Sequence, residues 1–520
     1  MNVKVYDWLA QHAATRPNRT ALINLQTDES FTYKEVERRV SRFARALRER
    51  CDVGRSDRVA VLSGNHCNCL EIEFACMKLG AVYVPLNWRL TAAEMEYIVE
   101  DAQPKVLIFE EAFARTASEL KARCDFPFAI HFDGTDRDNE YERLIEEFDP
   151  LPVCCDVSSD DVWTIMYTSG TTGQPKGAML TYGMTMWNVF NLLTPHRLSE
   201  DMVNLCILPL FHTGGLNVYA NPAVYLGATN LILPAFSASE VLDILSDREI
   251  GVTHTIGVPT NWLMMSQEES FTRADLSGLR TCCVGGAPVT LQLLKSYQAQ
   301  GVTLMQMYGM TETGPIVSTL TAEAAERKVG SAGRPVLNVD VRVVDPQGTD
   351  VAGADEVGEL WVKGPIVTPG YWKAEARNHE YFTEGWFHTG DAAYSDEEGY
   401  LYIVDRWKDM YISGGENVYP AEVEKVIYQL QEVLEVAVVG IADEKWGEVG
   451  CACIVLKPGR ELSQADIQKH CAGRLARFKQ PKYLKFLDEL PHNATGKILK
   501  KNLDRSLLVG SGSTTGAVQP

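Results

Sequence analysis

The sequence predicts an α/β protein, with a large amino-terminal domain of doubly wound sheets and a small carboxy-terminal α+β domain. Short apolar strands alternate with helical stretches through the first 400 or so of the 520 residues. Several of these strands end in glycine turns, as strands do at the ligand-binding edge of open α/β sheets. The last hundred residues carry strands and helices of their own.

The first hundred residues give the clearest alternation of helix and strand. Thr32 and Glu35 have the spacing of a capping box, and apolar residues follow at helical intervals, so residues 32–49 are predicted to form an amphipathic helix. Apolar runs predict strands at 58–62, 81–86 and 105–110, and helical patterns lie between them at 71–79 and 92–101. This order is typical of βαβ units and parallel sheets.

Further short apolar runs predict the strands of the central region. They lie at residues 162–166, 204–208, 230–233, 252–256, 279–284 and 303–307. The last two strands run into Gly285–Gly286 and into Tyr308–Gly309. Ligands in open α/β sheets bind beyond the carboxyl ends of strands, so these turns are candidate binding loops.

The carboxy-terminal hundred residues are predicted to form a separate α+β domain. Pro420 opens a helix that has acidic residues in its first turn, and strands at 434–441, 451–456 and 483–487 flank a second helix at 465–477. We therefore divide the chain into a large domain (1–404), a hinge (405–409), a small domain (410–505) and a flexible tail (506–520). Residues 510–520 of the tail are small, polar and glycine-rich.

Composition excludes several classes of protein. The net charge of −20 argues against a nucleic-acid or anionic-membrane partner, because both require basic surfaces. No apolar run is long enough for a membrane span or a signal peptide, and a cytoplasmic location is expected. The 13 cysteines lack zinc-site spacing, which favours buried thiols in a reducing compartment.

The strongest local signal is the loop at residues 167–177, YTSGTTGQPKG. Glycines let backbone N–H groups approach phosphate oxygens, hydroxyl side chains donate further hydrogen bonds, and Lys176 supplies positive charge. The spacing does not fit a Walker P-loop, because Lys176 is followed by Gly177. Composition alone leaves a flexible polar loop as an equal alternative.

The order of residues in this loop resembles the signature of adenylate-forming acyl-CoA synthetases, a family that also holds firefly luciferase and the adenylation domains of peptide synthetases. Segments similar to the other family motifs follow in the same order over nearly the whole chain, from about Asp7 to Arg505. They are PLFH (209–212), GGAP (285–288), YGMTE (308–312), TGD (389–391), DRWKD (405–409), GGEN (414–417) and PHNATGK (491–497).

The resemblance implies an ATP site and a magnesium ion. Tyr308 would stack on adenine, Asp391 would accept from the ribose hydroxyls, and Glu312 would hold Mg²⁺. Taken singly, each of these residues is more often a core or surface side chain. The implied ATP and AMP ligands are Thr168, Ser169, Gly170, Thr171, Thr172, Lys176, Gly286, Ala287, Pro288, Tyr308, Gly309, Met310, Thr311, Asp391 and Arg406.

The family performs two half-reactions in one site. A carboxylate first reacts with ATP to give an acyl-adenylate and pyrophosphate, and CoA then displaces AMP. The resemblance implies that Lys497 is the catalytic lysine of adenylation and that a mobile small domain turns about Lys408 between the steps. Gly414, Gly415 and Glu416 would then line the thiol tunnel. Basic residues beside this loop, such as Lys500 and Lys501, are expected to be solvated charges.

The acyl pocket is expected at His212, Gly214, Gly215, Val218 and Gly314. His212 is either a catalytic base or, as we favour, a wall or gate of the pocket. It occupies the position where amino-acid-activating relatives have aspartate, so no anchor for an α-amino group is apparent. Small, apolar neighbours fit a fatty acid, which we slightly favour, or an aryl acid of the cinnamate type, such as ferulate, and the sequence does not choose between them.

Three other functions remain open at this point. The enzyme could load an acyl carrier protein, or it could be a luciferase-like oxygenase. The third alternative is a nucleotide-binding protein without catalysis, against which Lys176, Glu312, Asp391, Lys408 and Lys497 argue together. The resemblance also leaves a homodimer open.

Overall fold

The computed structural model describes residues 3–132, 139–151, 155–168, 174–287, 289–351, 353–407, 409–414, 416–443, 445–472, 474–492 and 498–503. These residues divide into two compact units. The first lies within Met1–Val341, Val362–His388 and Glu398–Leu401, and the second within Arg342–Trp361, Thr389–Glu397 and Tyr402–Pro520. The predicted hinge at 405–409 stays a prediction.

The strands are numbered along the chain. They are β1 (Lys4–Val5), β2 (Thr20–Asn24), β3 (Glu29–Thr32), β4 (Arg58–Leu62), β5 (Val82–Leu86), β6 (Val106–Glu110), β7 (Phe128–Phe132), β8 (Val157–Ser158), β9 (Val162–Thr168), β10 (Lys176–Thr181), β11 (Val203–Cys206), β12 (Thr229–Ile232), β13 (His254–Gly257), β14 (Thr281–Gly285), β15 (Leu304–Gly309), β16 (Ile316–Thr319), β17 (Arg334–Pro335), β18 (Asp340–Val344), β19 (Gly358–Lys363), β20 (Phe382–Thr383), β21 (Trp386–Ser395), β22 (Leu401–Arg406), β23 (Tyr411–Ser413), β24 (Glu416–Val418), β25 (Val433–Asp443), β26 (Gly447–Leu456) and β27 (Tyr483–Phe486).

The α-helices are numbered in the same way. They are α1 (Trp8–Thr15), α2 (Tyr33–Cys51), α3 (Cys67–Leu79), α4 (Ala92–Ala102), α5 (Ala114–Arg123), α6 (Glu140–Glu147), α7 (Tyr182–Leu192), α8 (Thr213–Gly215), α9 (Asn221–Leu226), α10 (Ala238–Ser246), α11 (Pro259–Ser266), α12 (Leu291–Gln298), α13 (Ala322–Ala325), α14 (Glu375–Asn378), α15 (Pro420–Ile427) and α16 (Gln464–Ala472). A π-helix, Leu216–Ala220, joins α8 to α9.

Two large sheets form the frame of the first unit, and the predicted fold class is confirmed. One has the strand order β10-β9-β5-β4-β6-β7, and the other has the order β17-β16-β15-β14-β13-β11-β12-β2-β3. The inner strands of both are parallel, whereas β10, β16, β17 and β3 are added antiparallel at the edges. Two smaller five-stranded sheets follow, of orders β18-β19-β21-β20 with β22 beside β21, and β24-β23-β26-β25 with β27 beside β26.

Helix α2 forms where the capping box predicts it. Thr32 accepts from the backbone N–H of Glu35, and the Glu35 side chain returns to Thr32. Val36, Val40 and Phe43 are fully buried along one face. The expected amphipathic helix is thus confirmed within two residues at its carboxyl end.

Helix α3 begins earlier than predicted, at Cys67 instead of residue 71. Every residue from Cys67 to Leu79 is buried, including Glu73 and Lys78. A helix enclosed on all sides has no polar face, so hydrophobic periodicity cannot mark its start. The start is instead set by His66, whose ring accepts from the backbone N–H of Asn68.

In the second unit, β25 and β26 pair over their whole length and carry α15 on one side. The predicted helix at 465–477 is shorter, because α16 ends at Ala472 and a 3₁₀ turn follows at Arg477–Lys479. The described cysteines are free thiols. Among the residues that the structure covers, no helix is both long and apolar enough to cross a membrane.

Candidate active site

A hairpin of the first unit frames the predicted phosphate loop. Strands β9 and β10 are antiparallel, and Thr168 lies opposite Lys176 at the point where the loop leaves the sheet. A side chain added at Gly177 would displace its neighbours, because its Cβ would lie 2.8 Å from a methyl group of Ile165. Ser169, Gly170, Thr171 and Thr172 lie outside the described residues. The ends of the loop are therefore fixed by strand pairing.

The acidic residue of the YGMTE segment lies beside this hairpin. Strand β15 ends at Gly309, and Glu312 follows in a 3₁₀ turn with only 5% of its surface exposed. Its Oε1 accepts from the Thr168 hydroxyl at 3.4 Å and from the Tyr371 hydroxyl at 2.8 Å. The structure thus brings together Thr168 and Glu312, which are 144 residues apart in sequence.

Gly309 is required by the backbone. A Cβ added at this position would lie 1.8 Å from the carbonyl oxygen of Pro315, which accepts from the N–H of Met310. The chain therefore folds back on itself directly after Tyr308, and this sharp reversal sets the positions of Met310, Thr311 and Glu312. Thr311 is buried, and Tyr308 is half-buried at the strand end.

Two tyrosines surround the ammonium group of Lys176. Its Nζ donates to the hydroxyl of Tyr381 and lies 4.4 Å from the centre of the Tyr381 ring and 5.4 Å from that of Tyr371. The two rings meet edge to face, with centroids 5.0 Å apart. The aromatic faces stabilise the cation, so the Lys176 ammonium is held beside the two rings.

The segment that carries Tyr371 was not predicted from the sequence to belong to the site. Thr368 donates its N–H to the Glu312 carbonyl at 2.8 Å and its hydroxyl to the Met179 carbonyl at 2.6 Å. Gly370 has a φ of +139°, and an added Cβ would lie 2.3 Å from the Asn378 amide. The sequence feature that could have indicated this segment is Gly370-Tyr371, a glycine directly before an aromatic residue.

The adenine-side loop leaves the nine-stranded sheet next to the YGMTE segment. Strands β14 and β15 are parallel neighbours, so the turn after Gly285 and the turn after Gly309 lie at their carboxyl ends. Gly286 has a φ of +82° and is exposed, as is Ala287. Pro288 lies outside the described residues. This edge is where ligands bind in open α/β sheets.

His212 caps the helical stretch that begins at Thr213. Its Nδ1 accepts from the N–H of Gly214 at 3.2 Å. Desolvation lowers the pKa of His212, although the ring remains exposed to solvent. Dense protein surroundings together with solvent access are the properties of a side chain that lines a cleft.

The small residues of the expected acyl pocket serve different purposes. An added Cβ at Gly215 would lie 2.2 Å from the carbonyl oxygen of Pro209, so glycine is required for the turn. At Gly214 the nearest atoms would be 3.5 Å away, an ordinary contact. Gly314 has a φ of +67°, and Val218 is buried in the π-helix. Of the three glycines, Gly214 is the one whose missing side chain leaves space.

The ribose and hinge motifs lie in the second unit. Asp391 is 6% exposed, and its Oδ1 lies 3.0 Å from Nη1 of Arg406. The same Nη1 donates to the carbonyl oxygen of Thr389 at 3.3 Å, and Gly390 donates its N–H to Glu359 at 3.1 Å. The structure thus places Asp391 and Arg406 together, while Lys408 lies outside the described residues.

The carboxy-terminal loops are described only in part. Gly414 turns the β23–β24 hairpin with a φ of +62°, and Glu416 is exposed at the start of β24. Gly415 and Lys497 lie outside the described residues. The expectation that Lys500 is a solvated charge is wrong, because its Nζ lies 2.8 Å from Glu424 and its side chain is 17% exposed. Burial opposes this charge, but the carboxylates of Glu424 and Asp405 outweigh it and raise the pKa of Lys500.

The described residues fit a magnesium ion held mainly by substrate. They contain no group of three histidine, cysteine or acidic side chains able to hold a metal by itself. Mg²⁺ in nucleotide sites is bound by one or two carboxylates together with phosphate oxygens. Glu312 has Oε1 occupied by two hydroxyl donors, which leaves Oε2 for such an ion.

Two family descriptions match the chain. Residues 9–372 match AMP-binding enzymes, and residues 422–497 match the C-terminal domain of AMP-binding enzymes. Together they cover most of the chain, including each of the motifs around Thr168, Glu312 and His212.

Characterised proteins are similar to the chain over almost its full length. An indoleacetate–CoA ligase of Aromatoleum aromaticum is 39% identical over 96% of this chain and 98% of its own length. A feruloyl-CoA synthase of an Amycolatopsis species is 40% identical with the same coverage.

Solved structures agree with these relatives. The o-succinylbenzoate CoA synthetase of Bacillus subtilis, in complex with its acyl-adenylate intermediate, has a TM-score of 0.87 and 32% identity over 99% of this chain and all of that one. The same enzyme in complex with ATP and a magnesium ion has a TM-score of 0.86 and 33% identity over 97% of this chain and all of that one.

Proposed function

Because the chain belongs to the family of AMP-binding enzymes, we propose that it is an ATP-dependent acid–CoA ligase that forms an acyl-adenylate and transfers the acyl group to CoA. The observation that carries this proposal is the assembly of Thr168 and Lys176, at the end of the β9–β10 hairpin, with Glu312, which follows β15. A hydroxyl, an ammonium and a carboxylate there suit a triphosphate with its metal. The relatives that match over 96% of the chain are CoA ligases, which supports CoA as the acceptor.

The first half-reaction joins two anions. A carboxylate oxygen of the acid attacks the α-phosphorus of ATP, the bond to the bridging oxygen breaks, and pyrophosphate leaves. When bound, Mg²⁺ supplies positive charge against the phosphate oxygens. Lys176 adds a second positive charge at the loop, and Lys497 stabilises the charge that gathers on the phosphoryl oxygens in the transition state. Asp391 and Tyr308 hold the ribose and the adenine.

The second half-reaction transfers the acyl group to sulfur. The thiolate of CoA attacks the carbonyl carbon of the mixed anhydride, and AMP leaves as the phosphate–acyl bond breaks. The proposed hinge at Lys408 withdraws Lys497 and brings Gly414, Gly415 and Glu416 to the thiol tunnel. We propose that one adenylate site thereby serves both reactions.

An aryl acid is the substrate class that we propose. Among the described residues from 212 to 218 there is no acidic or permanently charged side chain to bind a second ionic group. A Cβ added at Gly214 would make only ordinary contacts, and the relatives named above act on indoleacetate and ferulate. A fatty acid is the alternative, since the same apolar surroundings accept an alkyl chain. Free thiols at the described cysteines support a cytoplasmic location, and a homodimer is a family expectation.

The proposal is tested with a panel of acids. AMP and pyrophosphate release are measured with ATP and Mg²⁺, with and without CoA, for indoleacetate, ferulate, cinnamate, 2-succinylbenzoate and fatty acids of several lengths. We expect AMP release that requires CoA, with the highest kcat/KM among the aryl acids. The best acid then identifies the substrate class.

Other outcomes separate the alternatives. Pyrophosphate release that does not respond to CoA would shift the acceptor to a carrier protein. A preference for fatty acids would replace the aryl proposal but keep the ligase. If no acid gives pyrophosphate while ATP still binds, a nucleotide-binding protein without catalysis becomes the better description.

A further inference from the structure

Two tyrosines outside the predicted motifs touch both charged groups of the triphosphate site. We infer that Tyr371 orients the Glu312 carboxylate toward Mg²⁺ and that Tyr381 holds the Lys176 ammonium until the triphosphate binds. This inference rests on the proposed function. Both are positioning residues, because each acts through the side chain that it contacts.

Tyr371 is held too firmly to be an incidental contact. Its N–H donates to the Asn378 side chain at 3.2 Å, and the next residue, Trp372, donates to the Gly177 carbonyl at 2.7 Å. Gly370 has no room for a side chain, so this turn is fixed beside the hairpin. The ring is 6% exposed, and its hydroxyl ends 2.8 Å from Oε1 of Glu312.

This hydrogen bond determines which carboxylate oxygen is available. Oε1 accepts from the hydroxyls of Tyr371 and Thr168, whereas no hydrogen bond from the described part of the chain reaches Oε2. A hydroxyl bound to a carboxylate is a charge-assisted donor, and it fixes the rotation of the acid. Partners of this kind orient metal ligands, and their loss typically lowers metal affinity about 10–100-fold.

Tyr381 acts on the opposite charge. The Lys176 ammonium donates to its hydroxyl and lies over its ring at 4.4 Å. A phosphate oxygen is a stronger partner for an ammonium than a neutral hydroxyl, so bound triphosphate would draw Lys176 away. Until then Tyr381 keeps the ammonium near the loop.

The experiment compares Tyr371→Phe, Tyr381→Phe and Glu312→Gln with wild type. Tyr297→Phe is the matched control, because its buried hydroxyl donates to the Trp262 carbonyl at 2.8 Å elsewhere in the same unit. Binding of a non-hydrolysable ATP analogue is measured by calorimetry across a range of Mg²⁺ concentrations, beside the Mg²⁺ dependence of pyrophosphate release.

We expect Tyr371→Phe to raise the Mg²⁺ concentration for half-maximal binding and activity about 10–100-fold, while binding without Mg²⁺ is unchanged. Tyr381→Phe should alter affinity for the analogue with little change in the Mg²⁺ requirement. The double variant Tyr371→Phe/Glu312→Gln should need no more Mg²⁺ for half-maximal binding than Glu312→Gln alone, because Tyr371 acts through that carboxylate.

The inference is overturned if Tyr371→Phe keeps the wild-type Mg²⁺ dependence, or if its effect adds fully to that of Glu312→Gln. Equal losses with and without Mg²⁺ would indicate a structural role only, and also overturn it. The calorimetric result stands even if no acid supports pyrophosphate release, so failure of the proposed function is distinguishable from failure of this inference.

Discussion

His212 shows how the surroundings of one side chain decide its role. Desolvation lowers its pKa, which favours the neutral ring, and its Nδ1 is occupied by the N–H of Gly214. A neutral ring fixed as a helix cap suits the wall of a pocket. Because Nδ1 is taken, a role as base would depend on the other ring nitrogen.

We expect His212→Asn to change the KM for the acid while leaving kcat within about tenfold and the pH profile between 6 and 8 unaltered. Asparagine preserves the cap, because its side-chain oxygen also accepts from the helix N–H groups. Steady-state kinetics across pH provide the measurement, with His131→Asn as a control at a half-buried histidine outside the motifs. Loss of about 10²–10⁴ in kcat together with a missing inflection would assign His212 as a general base.

The motif residues were predictable where a motif fixes the backbone. Gly309 marks a reversal that no other residue can make, since a Cβ there would meet a carbonyl oxygen at 1.8 Å. Tyr371 was not predictable, because its contact with Glu312 joins residues 59 positions apart and a tyrosine in isolation resembles a core residue. Lys500 was misjudged for the same reason, since its partner Glu424 lies in another element.

At the scale of elements, helix α3 carries a buried acid. Glu73 is fully buried, and its Oε1 accepts from the Asn221 amide at 3.1 Å. Asn221 in turn donates to Asn217 at 2.9 Å, which donates to Thr213 at 3.3 Å. This buried row of polar side chains connects α3 to the helical stretch behind the expected acyl pocket.

Burial raises the pKa of Glu73 to about 8, which links stability to pH. Between about pH 4.5 and 8 the unfolded chain releases the proton and the folded chain keeps it. The folded state then binds more protons, so stability falls as the pH rises, by about 1 kcal/mol per pH unit. Below this window Glu73 is protonated in both states, so it contributes no pH dependence to stability.

We therefore expect Glu73→Gln to be increasingly more stable than wild type as the pH rises from 5 to 8, because glutamine stays neutral and can still accept from Asn221. Thermal unfolding midpoints measured across this range give the comparison. Glu119→Gln, at an exposed i,i+4 pair, should differ from wild type by a small amount at every pH. A difference between Glu73→Gln and wild type that does not vary with pH would contradict the burial of a neutral acid.

The strands were easier to predict than the enclosed helix. Strand β4 was predicted to the residue, because a short apolar run between polar turns has few other structures available. Strand β10 was missed, since Lys176-Gly177-Ala178 contains no β-branched residue and its strand structure comes from pairing with β9. Edge strands of this kind depend on tertiary contacts instead of local propensity.

At the scale of the whole molecule, the two half-reactions place opposite demands on the carboxy-terminal region. In the proposed mechanism, adenylation uses a cation at the α-phosphate, whereas thioester formation follows the withdrawal of that cation and the entry of the thiol. Lys497 and Lys408 lie in different motifs, so one can be altered without the other. If one chain alternates between two arrangements, substitution of either residue should impair one reaction and leave the other unchanged.

We expect Lys497→Ala to lower pyrophosphate release about 10²–10³-fold while still converting supplied acyl-adenylate and CoA to thioester. Lys408→Pro, which fixes φ at the proposed hinge, should release pyrophosphate normally in a single turnover but fail to form thioester. Lys457→Ala, a lysine outside every motif, should spare both reactions. Rapid-quench measurements of each half-reaction give these rates separately. If either motif variant loses both reactions equally while remaining folded, a single fixed arrangement of the chain would explain catalysis better than rotation about Lys408.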